Sequence, residues 1–219
     1  MLILHDYRPS QNAWKIRVLL GLLDRPYETR EVSIFQGEGQ SEGFLKLNPA
    51  GAVPVLELED GQAIAESNAI LAYLADGTEF LPSDRFGRAK VGQWLCFEQY
   101  HVEPVIGSLR FWTLTGRLKR NAALVPGKQE AAGKALTALD RNLIGRAWLA
   151  GQRFSIADLS VYAYTHLAED CGIDLSTYPA VHDWAARVGE AIGRGFPVYP
   201  YSLDPHSPAD RLSVRCGAI

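Results

Sequence analysis

The loop Tyr7-Arg8-Pro9-Ser10-Gln11-Asn12 places hydroxyls and amides just ahead of a helical pattern. A helix amino terminus carries positive potential, so donors there favour an anion such as a thiolate. Each of these side chains is also an ordinary loop residue, and a Ser-x-Asn ahead of a helix commonly caps it. A second stretch, Asn48-Pro49-Ala50-Gly51-Ala52-Val53-Pro54-Val55-Leu56, sets a proline at the start of an apolar run. Proline cannot donate to a sheet ladder, so Pro54 fits only the start or edge of a strand. Spacing alone favours an ordinary trans bond there. A cis Val53–Pro54 bond would instead turn the Val53 amide and carbonyl outward, as an edge for an extended peptide. The third stretch, Glu66-Ser67-Asn68, lies between a strand pattern and a helix pattern. Ser67 is an expected N-cap. The same geometry would hold an α-amino acid head group, its carboxylate at the helix terminus and its ammonium on Glu66.

The elements that must position these stretches follow from periodicity. Leu2 to Leu4 read as a short buried strand; Ile16, Leu19, Leu20 and Leu23 share one helical face, leaving Lys15 and Arg17 free to point elsewhere. Tyr27 to Val32 is rich in strand formers, and two apolar runs around Asp60-Gly61 signal a hairpin. With the helix from Ser67, the order is β-α-β-(α)-β-β-α, the bracketed helix being the weakest signal. The turn-like stretch Gly77 to Asp84 marks a boundary between a domain over 1–77 and an all-helical one over 84–219. There, Val91, Trp94, Leu95 and Glu98 start a long helix that Pro104 should kink. Ser155-Ile156-Ala157-Asp158 reads as a capping box opening a later helix, a structural rather than catalytic use of polar residues. From about residue 195, prolines at 197, 200, 205 and 208 predict an irregular tail assigned to the helical half.

Bulk properties narrow the classes of function. The chain has 219 residues, enough for two ordinary domains, and its 47% apolar and 21% charged content suits a globular protein. A formal net charge of -3 offers no basic face for a polyanion, so no nucleic-acid partner is expected. Cys96, Cys171 and Cys216 are far apart, with no histidine set at ligand spacing, and predict reduced thiols and no structural metal. Cys96, beside Trp94 and Leu95, reads as buried packing. The start Met1-Leu2-Ile3-Leu4-His5-Asp6 turns polar too soon for a signal peptide, and no apolar run is long enough to span a bilayer, so a cytoplasmic protein with no membrane partner is expected.

In combination the three stretches resemble the glutathione transferase family. The resemblance runs through Tyr7 to Lys15, Asn48 to Leu58, Glu66-Ser67-Asn68-Ala69-Ile70 and Phe154-Ser155-Ile156-Ala157-Asp158. It implies an α/β thioredoxin-like amino-terminal domain followed by an all-α carboxy-terminal domain. It also implies a cis Val53–Pro54 bond, a γ-glutamyl site at Glu66 and Ser67, and a weaker glycyl-carboxylate contact at Gln40, where a basic residue often serves. Pro9 to Ile16 is most similar to bacterial Nu-class enzymes, in which a hydroxyl residue and an asparagine two positions on face the glutathione sulfur. Ser10 and Asn12 match those positions, ranked ahead of Tyr7, which classes using a tyrosine would favour. The loop lacks the cysteine of the omega and beta classes. The resemblance therefore implies a detoxifying homodimer in which glutathione attacks an unidentified electrophile. The second substrate is expected in a pocket between the domains, with Tyr100, His101 and Arg110 as candidate lining. A glutathione-dependent disulfide reductase or peroxidase, and a non-catalytic glutathione-binding scaffold, remain as rivals.

Overall fold

Strand β1 (Leu2–Asp6) lies at the heart of a four-stranded sheet of order β2-β1-β3-β4. It pairs in parallel with β2 (Tyr27–Glu31), from Leu2 opposite Tyr27 to Asp6 opposite Glu31. A parallel pair needs a crossover, and α1 (Gln11–Leu22) supplies it. On its other side β1 runs antiparallel to β3 (Val55–Glu57), which turns through Asp60-Gly61 into β4 (Ala63–Ile64). Gly61 takes a φ of 83°, a left-handed value that the turn requires and glycine adopts without penalty. Helix α2 (Glu42–Leu47) forms as the weak helical signal suggested, seating Phe44 against Val32 and Val55. Helix α3 (Ser67–Ala75) packs on α1. The computed structural model describes residues 1–208, and Cys216 lies outside the described residues.

The chain forms two compact units, the first made of Met1–Asp76 together with Arg194–Ser207. The tail assigned by sequence to the helical half is thus, in this stretch, part of the thioredoxin-like unit. Specific anchors explain the difference. Trp14 donates its indole N–H to the Phe196 carbonyl at 3.0 Å, and the Phe196 ring sits so close to Gly21 that a β-carbon there would lie 2.5 Å from it. The guanidinium groups of Arg8 and Arg17 lie 5.8 and 5.7 Å from the Tyr199 ring centre. Ser33 donates its hydroxyl to Asp204 at 2.7 Å.

Lys15 and Arg17 do not point to solvent either. Lys15 is fully buried, with its ammonium 2.9 Å from the Asn68 side-chain oxygen, and Arg17 reaches both oxygens of Asp6 at 2.7 Å. Helix α1 is covered on more than one side, so its polar residues find partners inside.

The second unit contains Gly77–Gly193 and is helical. Helix α4 (Arg85–Phe97) buries Val91 and Trp94, which leaves Cys96, about 200° round the helix from Trp94, exposed rather than packed. The expected break at Pro104 takes the form of a π-helical segment, Glu98–Gly107, leading into α5 (Ser108–Leu114). Its wider turn accommodates the missing amide, and the Pro104 carbonyl accepts from the Ser108 hydroxyl at 2.8 Å and from Lys128. Helix α6 (Val125–Leu143) follows.

Helix α7 (Ile156–Thr165) opens with the expected capping box and precedes α8 (Pro179–Ile192). Asp158 is fully buried and accepts four hydrogen bonds, from the Leu149 amide (2.8 Å), the Trp184 indole (2.9 Å), the Ser155 amide (3.1 Å) and the Ser155 hydroxyl (3.0 Å). Burial raises its pKa despite these bonds, a sign of how far the site is removed from water. Asp158→Ala would strand several buried donors at once, so urea unfolding should show a loss of about 3 kcal/mol or more. A loss under about 1 kcal/mol would mean that water or repacking replaces the carboxylate.

Candidate functional site

The first unit brings the loop after β1, the Val53–Pro54 turn and the start of α3 to one end of the sheet. Tyr7 and Ser10 form the tight turn between β1 and α1, with the Ser10 amide donating to the Tyr7 carbonyl at 2.8 Å. Ser10 caps α1, its oxygen accepting from the Ala13 amide at 3.3 Å. Accepting leaves the hydroxyl proton available, so the cap can still donate to an anion placed over the helix terminus.

Asn12 is oriented by a neighbour far away in sequence. The Ser67 hydroxyl donates to its side-chain carbonyl at 3.2 Å. That bond occupies the Asn12 oxygen and leaves its amide nitrogen, with two donors and no internal partner among the described residues, as the free end. Ser10 and Asn12 therefore both present spare donors at the start of α1.

At the start of α3 the expected cap differs in detail. Glu66, not Ser67, is the N-cap, and it makes no side-chain capping bond. Ser67 is the first helical residue, its hydroxyl committed to Asn12 and its backbone N–H without an internal partner among the described residues. Glu66 is exposed and holds a φ of 64°, a left-handed conformation costly for any residue with a β-carbon, on the order of 1–3 kcal/mol. The consequence is an exposed carboxylate next to the helix terminus.

The Val53–Pro54 bond is cis. Val53 precedes β3, and among the described residues neither its N–H nor its C=O has an internal partner. Asn48 braces the turn, its side-chain nitrogen donating to the Ala52 carbonyl at 2.7 Å and its oxygen accepting from the Ala50 amide at 3.0 Å. Beside Val53 lies a small groove of about 100 Å³ that Val32, Ile34, Gln40 and Gly51 also line. A β-carbon on Gly51 would lie 2.2 Å from the Gln40 amide nitrogen, and Gly51 has a φ of 65°, so glycine here both makes the turn and seats Gln40.

Tyr7 is placed differently from Ser10 and Asn12. It is 1% exposed, its ring against Phe35 and Tyr201, and its hydroxyl is closed to solvent with no hydrogen-bond partner. Burial above all, then the Asp204 carboxylate, pushes its ionisation far up, so the phenol stays neutral.

Of the residues named for a second-substrate pocket, Tyr100 and His101 are exposed on the π-helical segment, their rings 6.2 Å apart. Arg110 on α5 is buried, its guanidinium 2.7 Å from Asp170. Sequence reasoning named Lys15 and Asn68 but missed the contact between them, which ties α1 to α3 beside the Ser67–Asn12 bond, and it missed Asp204 in the tail. A buried lysine leaves no periodic signature, since a helix pattern places charges on the outer face.

Comparison with known proteins follows the same division of the chain. Residues 9–76 match the family model of the glutathione S-transferase N-terminal domain, and residues 93–190 match that of the C-terminal domain. A glutathione S-transferase structure from Pseudomonas fluorescens is 44% identical, with 85% of this chain and 94% of that one covered and a TM-score of 0.83. The disulfide-bond oxidoreductase YfcG of Escherichia coli is 27% identical over 189 residues, 83% of this chain and 87% of the relative. Elongation factor 1-gamma of Artemia salina is 32% identical over 172 residues, 76% of this chain, and the chain spans 40% of that protein's length. With both domains matched in order, the chain belongs to the glutathione S-transferase family.

Proposed function

We propose that the protein is a glutathione transferase, in which Ser10 and Asn12 hold the glutathione sulfur as a thiolate that attacks an electrophilic small molecule. The observation that carries this reading is the pair of spare donors at the start of α1, with the Asn12 amide freed by the Ser67 bond. A free thiol of pKa about 8.5 is only a few per cent ionised at neutral pH. Lowering it by about two units makes the thiolate the main form and requires about 2.7 kcal/mol. Two hydrogen bonds to a charged sulfur, at roughly 1.5–3 kcal/mol each, suffice even before the helix field adds its few tenths.

Glutathione would lie along Val53, whose open N–H and C=O suit an extended peptide. Its γ-glutamyl carboxylate would meet the Ser67 N–H and its ammonium the Glu66 carboxylate. Its glycyl carboxylate would approach Gln40, which binds it less strongly than a cation would. Tyr7 is the weakest of the three candidate donors, because its hydroxyl is closed in. The reading extends to a cytoplasmic homodimer; Phe86, 76% exposed on α4, supplies apolar surface for a second copy.

A second reading draws on the likeness to the disulfide-bond oxidoreductase. The same thiolate could attack a small disulfide, with two glutathione molecules oxidised to the mutual disulfide as the substrate is reduced to two thiols. A third reading is a scaffold that binds glutathione at the same residues without turnover. Purified protein with glutathione, offered an aryl halide, an organic peroxide and a small disulfide, separates these readings. Transfer to the aryl halide supports the first; turnover of the disulfide alone, or of nothing, supports the second or third.

In whichever assay shows turnover, Ser10→Ala should lower the rate by roughly 10- to 1000-fold, the range for loss of one preorganised donor. Tyr7→Phe should do much less, and the reverse order would transfer the role to Tyr7. Glu66→Gly separates binding from folding. It relieves the left-handed backbone, so the melting temperature should hold or rise, while glutathione affinity by calorimetry falls by about tenfold or more. Unchanged affinity would move the head group elsewhere.

A further inference from the structure

A cavity of about 360 Å³ lies between the loop after β1, the end of β2 and the tail. Pro9, next to Ser10, lines it, and Leu203 and Pro205 of the tail supply further apolar wall. Four charged side chains share the lining: Arg8, Glu31, Glu38 and Asp204. Their pairing is uneven. Arg8 and Glu31 neutralise each other at 3.3 Å, both about half exposed. Asp204 is 8% exposed, and Glu38, itself exposed, stands beside it on Ser33. Asp204 takes hydrogen bonds from the Ser33 hydroxyl (2.7 Å) and the His206 amide (2.9 Å), and Glu38 from the Ser33 amide (2.6 Å). These donors are neutral, and neither carboxylate has a cationic partner among the described residues. Tyr7, buried with its hydroxyl unpartnered, stands at the same wall close enough for the Asp204 charge to act on it.

We propose that this cavity receives the second substrate and selects electrophiles with an apolar body and a positive charge over anionic ones of the same shape. One buried and one exposed carboxylate on the same wall attract a cation and repel an anion, and around the buried Asp204 water screens that difference less than on an open surface. The apolar wall fits an aromatic or aliphatic body. The reaction itself needs no further reagent. With an aryl chloride, the glutathione sulfur bonds to the chlorine-bearing carbon, chloride leaves with the bonding pair, and the thiol proton has already passed to solvent.

The inference rests on the transfer reading, and its test keeps the two apart. Binding is measured by calorimetry with two unreactive aromatic ions of similar size, benzyltrimethylammonium and phenylacetate. Turnover is measured with (4-chloro-3-nitrobenzyl)trimethylammonium and 4-chloro-3-nitrobenzoate, each divided by its uncatalysed rate with glutathione. The cation should be favoured in both by about tenfold or more, equivalent to about 1.4 kcal/mol, with the preference shrinking as salt rises. Glu38→Gln, whose amide oxygen can still accept from Ser33, and Asp204→Asn should each cut the preference by about threefold or more, while Arg8→Gln should enlarge it. Should Asp204→Asn fail to fold, the opposite signs of Glu38→Gln and Arg8→Gln still decide. Equal treatment of the two ions, preference for the anion, or a ratio indifferent to these substitutions would overturn the inference. Cation-selective binding without any turnover would sink the transfer reading alone, and transfer without selectivity would sink the inference alone.

Discussion

The hydrogen bond from the Ser67 hydroxyl to the Asn12 side-chain oxygen joins the first residue of α3 to the first turn of α1, and the site's geometry depends on it. It decides which end of the Asn12 amide faces outward. Without it Asn12 could present an acceptor, which would repel a thiolate instead of stabilising it. The adjacent contact of buried Lys15 with Asn68 holds the same two helices together, so the donor pair is preorganised before any ligand arrives. Preorganisation of this kind is what makes a hydrogen bond to a developing anion worth more than its counterpart in water.

The opposite wall depends on the tail. Asp204 and Glu38 converge on Ser33, at the start of the loop that leads to Gln40, and Gln40 in turn rests on Gly51 beside Val53. A segment more than 150 residues away in sequence thus helps shape the ground beside the candidate glycyl end. The same carboxylates give the neighbouring cavity its negative wall, so one arrangement serves both loop geometry and charge.

Much of this was legible in the residues. Short apolar runs, strand formers, the Asp60-Gly61 turn and helical spacing were enough for the β-α-β-(α)-β-β-α order, with the bracketed helix the weakest signal, and Ser155 with Asp158 announced the capping box of α7. The cis state of Val53–Pro54 was not legible from spacing, since a trans proline at a strand start has the same pattern; family resemblance supplied it. What the sequence could not reveal were contacts between distant segments. Lys15 and Arg17 read only as residues off the apolar face of α1, with nothing to show that Asn68 and Asp6 would lie opposite them, and the proline-rich tail carried no periodicity to tell which unit it would cover. Ser67 looked like a cap because residue type alone cannot say whether a hydroxyl turns to its own helix or to Asn12.

In the proposed mechanism the start of α1 lowers the pKa of a bound thiol. Ultraviolet absorbance of the thiolate, followed against pH in the protein saturated with glutathione, measures this without any second substrate. The account predicts a titration well below the free-thiol value of about 8.5, reaching its plateau near neutral pH. A bound thiol that ionises only at the free value, with full occupancy of the site, would contradict it.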